Sequence, residues 1–175
     1  YHITLGSWLT KFLRENHGVE ADSYNIRVEN KLYFPRQEIL NKDIKSLCNN
    51  KNLTVCFYGR SVTPRRCFEL VVMALYLFSE KVSDINIITY GWNEIPALPF
   101  KCHNLGTLPP EDLAELYSAC DICIAPSASN LSLVAREVMA CGCVLMDLDV
   151  DNTSHDLKHL DNSYLVKPDP NSMYE

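Results

Sequence analysis

Residues 53–91 read LTVCFYGRSVTPRRCFELVVMALYLFSEKVSDINIITYG. The run LTVCFYG, 53–59, is apolar throughout, as expected of a strand covered on both faces. INIITYG, 85–91, repeats the type. Between them TPRRCFELVVMALYLFSEK, 63–81, reads as one long helix. Pro64 falls in its first turn, where a missing N–H costs little. Two such strands joined through a helix pair in parallel, because only a crossover returns the chain to the same edge of the sheet.

The same alternation continues toward the C-terminus. FKCHNLG (100–106) reads as a short strand and LPPEDLAELYSAC (108–120) as a helix from Pro110. Glu111 and Asp112 complement the dipole of that first turn. DICIAP (121–126) reads as a strand, LSLVAREVMACG (131–142) as a helix from Leu131, and CVLMDLD (143–149) as a strand. SHDLKHLD (154–161) supplies a helical turn or two, and SYLVKP (163–168) a last strand. Toward the N-terminus, TLGSWLTKFLRENHG (4–18) is an amphipathic helix with Leu5, Trp8, Leu9, Phe12 and Leu13 at helical spacing and Gly18 as its stop. YNIRV (24–28) is a short strand, 30–35 a connection, and RQEILNKDIKSLC (36–48) a weak polar helix. The fold class that follows is α/β: a doubly wound, Rossmann-like parallel sheet with helices on both faces. Residues 1–34 read as a lead-in and 35–175 as the main domain, the whole reading as a piece of something longer.

Hydrophobic residues make up 47% and charged residues 22%, the globular range. The net charge of −6 argues against nucleic acid or anionic lipid as a partner of the chain as a whole. A local basic pocket stays open. The apolar run 68–78 is about half the ~20 residues a membrane-spanning helix needs, and Glu69 interrupts it. Among the eight cysteines, CDIC (Cys120, Cys123) and CGC (Cys141, Cys143) have the look of a zinc site. A strand reading of ACDICIAP points Cys120 and Cys123 to opposite faces, so no metal is expected. Buried reduced thiols suit the cytoplasm. HDLKH puts His155 and His159 four apart, which reads as a solvated helix face.

Ligands of such sheets lie beyond the carboxyl ends of the strands, which selects two turns. The first is YGRSVTPRR, with Gly59, Arg60, Arg65 and Arg66. Cations are unfavourable at a helix start, and a bound anion would neutralise them; phosphate suits a guanidinium fork. The alternative is solvated Arg65 and Arg66, with Arg60 paired to a carboxylate. The second turn is PSASNLSLVARE. Ser127, Ser129, Asn130 and Ser132 can cap its helix or bind a ligand, and the free N–H groups of the helix start favour an anion. Glu137 lies two turns in, beside Arg136, either exposed or satisfied by donors such as ligand hydroxyls.

Those motifs, in that order, resemble the C-terminal, donor-binding domain of GT-B glycosyltransferases. The likeness is strongest to the large retaining family of bacterial polysaccharide transferases. YGRSVTPRR corresponds to the family's strand-turn "GR…P…K". HNLGTLPPEDLAELYSACDICIAPS corresponds to "lG.v..edl..lY..adv.v.PS", and SNLSLVAREVMACG to "E-G-F-G-x-x-x-x-E-A-M-A-C-G". The resemblance implies that Arg60 with Arg65 or Arg66 holds the diphosphate of a nucleoside-diphosphate sugar. It implies that Leu131, Ser132 and Leu133 offer backbone N–H groups and that Glu137 accepts the ribose hydroxyls. His103, Asn104 and Leu105 would lie near the base. It further implies a glycan or lipid-linked acceptor held by a missing N-terminal domain, a role in surface polysaccharide synthesis, no cofactor beyond the donor, and a cytoplasmic place, peripheral to the inner membrane face. Ser129 departs from the family's first glutamate. YGR…TPR…FEL is similar to some rhamnosyltransferases, which implies a deoxysugar donor such as dTDP-rhamnose. The rivals are a non-catalytic α/β binding module and a sugar epimerase of the same two-domain plan.

Overall fold

A computed structural model describes residues 1–24, 26–48, 52–129 and 132–174. Its centre is a six-stranded parallel sheet in the order β5-β4-β3-β6-β7-β8. These strands are β3 (Leu53–Tyr58), β4 (Ile85–Tyr90), β5 (His103–Asn104), β6 (Ile122–Ile124), β7 (Val144–Leu148) and β8 (Tyr164–Val166). Along β3 the uniformly apolar run divides by parity. Val55 and Phe57 enter one core with α3 (Phe68–Ser79) and α7 (Pro170–Tyr174). Cys56 enters the other, with α2 (Lys42–Cys48), α4 (Pro110–Ala119) and α5 (Leu133–Ala140). Burial on both faces is what a continuous apolar strand requires. Strand order reverses between β3 and β6, so their carboxyl ends open a crevice.

The lead-in is a unit of its own. β1 (His2–Leu5) and β2 (Ala21–Tyr24) form a separate two-stranded parallel sheet, bridged by α1 (Ser7–His17). The expected helix from Thr4 gives way to a strand there because Gly6, at φ 84°, turns the chain before the helix starts. Thr4 then packs under α1, its Oγ1 2.6 Å from Thr10 Oγ1. The strand expected at 24–28 lies at 21–24, set by pairing with β1.

Three more helices start later than the pattern predicts. The polar helix expected from residue 36 begins only at Lys42, where Asn41 Oδ1 accepts the N–H groups of Asp43 and Ile44. Buried Glu115 holds the approach, accepting from the N–H groups of Leu40 and Asn41. The helix expected from Pro64 is broken. Pro64–Arg66 is a tight 3-10 turn closed by Cys67 at φ 51°, and α3 begins at Phe68. The helix expected from Leu131 begins at Leu133, with Ser132 as its N-cap. The SHDLKHLD turn also moves: α6 is Asp151–Ser154, and His155 ends it. His159 therefore shares no helix with His155; its Nδ1 accepts the N–H of Leu165. Among the described residues no helix is long and apolar enough to cross a membrane.

Two glycines follow directly on β3 and β4. A Cβ on Gly59 would clash with Thr89 Oγ1, and one on Gly91, at φ 97°, would clash with the Tyr58 ring. Gly91→Ala combines left-handed strain with overpacking, about 2–4 kcal/mol together, and lowers the thermal midpoint by roughly 4–16 °C. Gly142→Ala, at φ 81° but with its nearest contact 3.4 Å away at Pro35, carries the strain alone. Thermal melts of the two variants check this, and equal losses would remove the Tyr58 contact from the explanation.

Candidate anion-binding crevice

The two turns singled out by the sequence are joined directly. The N–H of Ala128, in the β6–α5 turn, donates to the carbonyl of Arg65, in the β3–α3 turn, at 2.9 Å. Arg66 Nη1 donates to Ser132 Oγ at 2.8 Å. Ser132 Oγ in turn accepts the N–H of Val134 at 3.2 Å, so one hydroxyl caps α5 and fixes the guanidinium. The plane of Arg66 is held from the other side by the Tyr58 ring, 5.0 Å away. The break at Cys67 is what turns Arg66 inward instead of along a helix surface. At 9% exposure Arg66 is pushed below the ordinary arginine range, by burial first and then by the neighbouring charge of Arg65. Arginine nonetheless keeps its proton in proteins, so a positive charge is held almost out of water.

The crevice over these residues has a volume of about 210 Å³. Arg65, Arg66 and Ser132 line it, joined by Leu133 and Arg136 of α5. Asn152 and Asp156 close one side and Leu5, Gly6, Trp8 and Ile26 of the lead-in close the other. Arg136 was legible in the sequence only as the neighbour of Glu137. Its Nη1 donates to the carbonyl of Ile26 at 2.6 Å and ties α5 to the lead-in. The signal that could have found it is the one used for Arg65 and Arg66: a cation in the first half of a helix, where the dipole opposes it. Three arginines line one hollow, beside the start of α5, a charge balance that suits an anion of more than one charge.

The other expected residues are more scattered. The Arg60 guanidinium stands over the Trp92 ring, 5.4 Å from its centre, and does not line this crevice. Gly59 ends β3 beneath it, with its N–H on the carbonyl of Tyr90. Glu137 is buried on α5 beside the Tyr33 hydroxyl and does not line this crevice. Burial raises the Glu137 pKa, and the neighbouring Tyr33 hydroxyl pulls it back. Asn104 serves its own loop, donating to the carbonyls of Trp92 and Asn93 and accepting the N–H of Gly106. Leu105 donates to the carbonyl of Thr89. His103 lines a different hollow, with Ser46, Asn86 and Lys101. Ser127 is buried and Ser129 exposed in the β6–α5 turn. Asn130 and Leu131 lie outside the described residues. Among the described residues no three His, Cys, Asp or Glu side chains are placed to hold a metal ion. Cys120 ends α4 rather than lying within β6, its N–H on the carbonyl of Leu116, while Cys123 pairs across from Cys56.

Comparison with known proteins bears on this arrangement. The family described as WsaF, C-terminal domain, matches residues 53–175. O-antigen biosynthesis protein RfbC of Myxococcus xanthus is 27% identical over 162 residues, which are 90% of this chain and 12% of that protein. Sucrose-phosphate synthase from Thermosynechococcus elongatus superimposes with a TM-score of 0.80 at 21% identity, over 98% of this chain and 46% of the enzyme. Anabaena Alr3699/HepE, crystallised in complex with UDP-glucose, does so at 0.78 and 17%, over 98% and 51%. The C-terminal domain of the group 1 glycosyl transferase LpcC from Francisella tularensis matches at 0.66 and 16%, over 85% of this chain and 84% of that domain. The chain thus spans about half of the two larger structures and a small part of RfbC.

Two variants check the geometry. Ser132→Ala removes the cap of α5 and the partner of Arg66, and it lowers stability by about 1–2 kcal/mol; Ser132→Thr restores most of it in a thermal melt. Tyr33→Phe removes the hydroxyl that restrains Glu137, so its carboxyl titrates higher still, as read by carbon NMR. The folded carboxyl binds its proton more tightly than the unfolded one, so stability falls as pH rises above the usual glutamate range. Tyr33→Phe makes that fall steeper.

Proposed function

The chain belongs to the WsaF C-terminal domain family, with the fold of a GT-B C-terminal half, and from that premise we propose that it binds the donor of a glycosyltransferase. The donor is a nucleoside-diphosphate sugar, and the sugar passes to a glycan or lipid-linked acceptor of a surface polysaccharide. The observation that carries the reading is the union of the two turns at Arg66 and Ser132, with Arg65 and Arg136 on the same hollow. The UDP-glucose complex of HepE and the O-antigen role named for RfbC support the class of donor and product.

In this mechanism the diphosphate is the leaving group, and it gains negative charge as the glycosidic bond breaks. Arg65, Arg66 and Arg136 meet that charge, helped by the start of α5. Groups already oriented by the fold stabilise such a charge without reorganising at the moment of reaction. Arg66 is the most constrained of them, held at Ser132 and over Tyr58. Glu137, oriented by Tyr33, takes the ribose hydroxyls once a ligand extends past Leu133. Arg60 and Trp92 stand together toward β4 and β5, on the side where the base would extend. Ser129, in place of a glutamate at the transferred sugar, offers a hydrogen bond without a charge and favours a donor sugar with fewer hydroxyls. The acceptor is held by protein outside this domain.

Isothermal titration of the 175-residue chain with UDP, dTDP and GDP tests the reading. One of the three binds. Arg66→Ala and Arg65→Ala each weaken it by roughly 10–100-fold, the worth of one charge-assisted bond to phosphate, and Glu137→Ala weakens it less. Absence of heat with all three leaves an α/β module without the nucleotide site.

A further inference from the structure

Behind the crevice the β6–α5 turn rests on a carboxylate that donor binding, as described above, does not use. Asp147, on β7, is fully buried. Its Oδ1 accepts two backbone N–H groups, from Ser127 at 3.1 Å and from Leu148 at 2.8 Å. Its Oδ2 finds no hydrogen-bond partner among the described residues, and neither does the buried hydroxyl of Ser127. Asn152, which lines the crevice, donates to the carbonyl of Ser127 at 2.9 Å. A continuous set of polar groups therefore runs from the crevice through Asn152 and Ser127 to Asp147.

The charged and titratable groups that reach Asp147 both come from the turn into α3. Arg66 stabilises the carboxylate, and the Cys67 thiol is pushed up in part by it. Ser127 and Asn152, from the other two elements around it, are neutral. Burial carries the Asp147 pKa up to about 7, against the pull of the two N–H bonds and of Arg66. A buried carboxylate with an unpaired oxygen is costly in its charged form. What sustains that form here is two N–H groups and one guanidinium, and the guanidinium is the one assigned above to the ligand.

We propose that Asp147 is the resident counter-charge of Arg66, and that it takes up one proton on Oδ2 when a diphosphate engages that guanidinium. The inference rests on the diphosphate reading of the crevice. The proton comes from solvent, and no other bond is made or broken. The diphosphate cancels the positive potential at Asp147 and adds a negative one, both of which disfavour the carboxylate. Asp147 is thus a positioning residue: charged, it helps to hold Arg66 in the free protein; neutral, it leaves the guanidinium wholly to the phosphate.

The experiment is isothermal titration with UDP-glucose, dTDP-glucose and GDP-mannose at pH 7.2, in PIPES, HEPES and Tris. These diphosphate diesters have no phosphate group that titrates near neutrality. The observed heat varies with buffer ionisation enthalpy, and the slope reads protons taken up. For the ligand that binds, uptake is about half a proton at pH 7.2 and falls as the pH is lowered toward 6. Asp147→Asn abolishes the slope. If that variant does not fold, the Asp147 carboxyl carbon of the unaltered protein decides: on saturation at pH 7.2 it moves toward its protonated shift. Binding with no proton uptake, a slope that survives in Asp147→Asn, or a carboxyl shift that does not move overturns the proposal and leaves the donor site standing. Absence of binding by all three overturns both.

Discussion

One side-chain bond joins the two halves of the crevice, from the Arg66 guanidinium to the hydroxyl of Ser132. Each partner is fixed for a reason of its own. Arg66 is aimed inward by the left-handed residue Cys67, which ends a tight turn after β3. Ser132 caps α5 after β6. β3 and β6 are neighbours where the strand order reverses, so the two turns meet without insertion or long loop. The backbone bond from Ala128 to Arg65 closes the same junction from the other side.

The junction keeps an arginine almost out of water, and the fold compensates with several partial satisfactions. A hydroxyl and an aromatic face hold Arg66, and Asp147 lends a distant negative charge from β7. None of these forms a full ion pair. A tight Arg–carboxylate pair would be more stable and less able to bind an anion, since the ligand would have to displace it. The arrangement leaves the guanidinium oriented and open to an anion that need not displace a carboxylate first.

The lead-in is part of this design. Leu5, Gly6, Trp8 and Ile26 form a wall of the crevice, and Arg136 grips the carbonyl of Ile26. Tyr33 reaches Glu137 from the same side. A segment with its own small sheet therefore positions two charged groups of α5. Its pattern announced a helix and a strand, but not which groups of the main domain they would hold.

Apolar periodicity determined the alternation of strands and helices, because a strand buried on both faces has to be apolar at every position. The order of strands and helices then selected the two turns, since parallel strands carry all their carboxyl ends to one rim. What tertiary structure alone decided was direction and company. Cys67, at φ 51°, breaks a helix that propensity would continue. His103 and Arg60 lie near the expected strand ends yet face a different hollow and a tryptophan ring. Arg136 joins the site through a contact 110 residues away in sequence. Side-chain direction depends on neighbours brought together only by folding, and no local pattern encodes them.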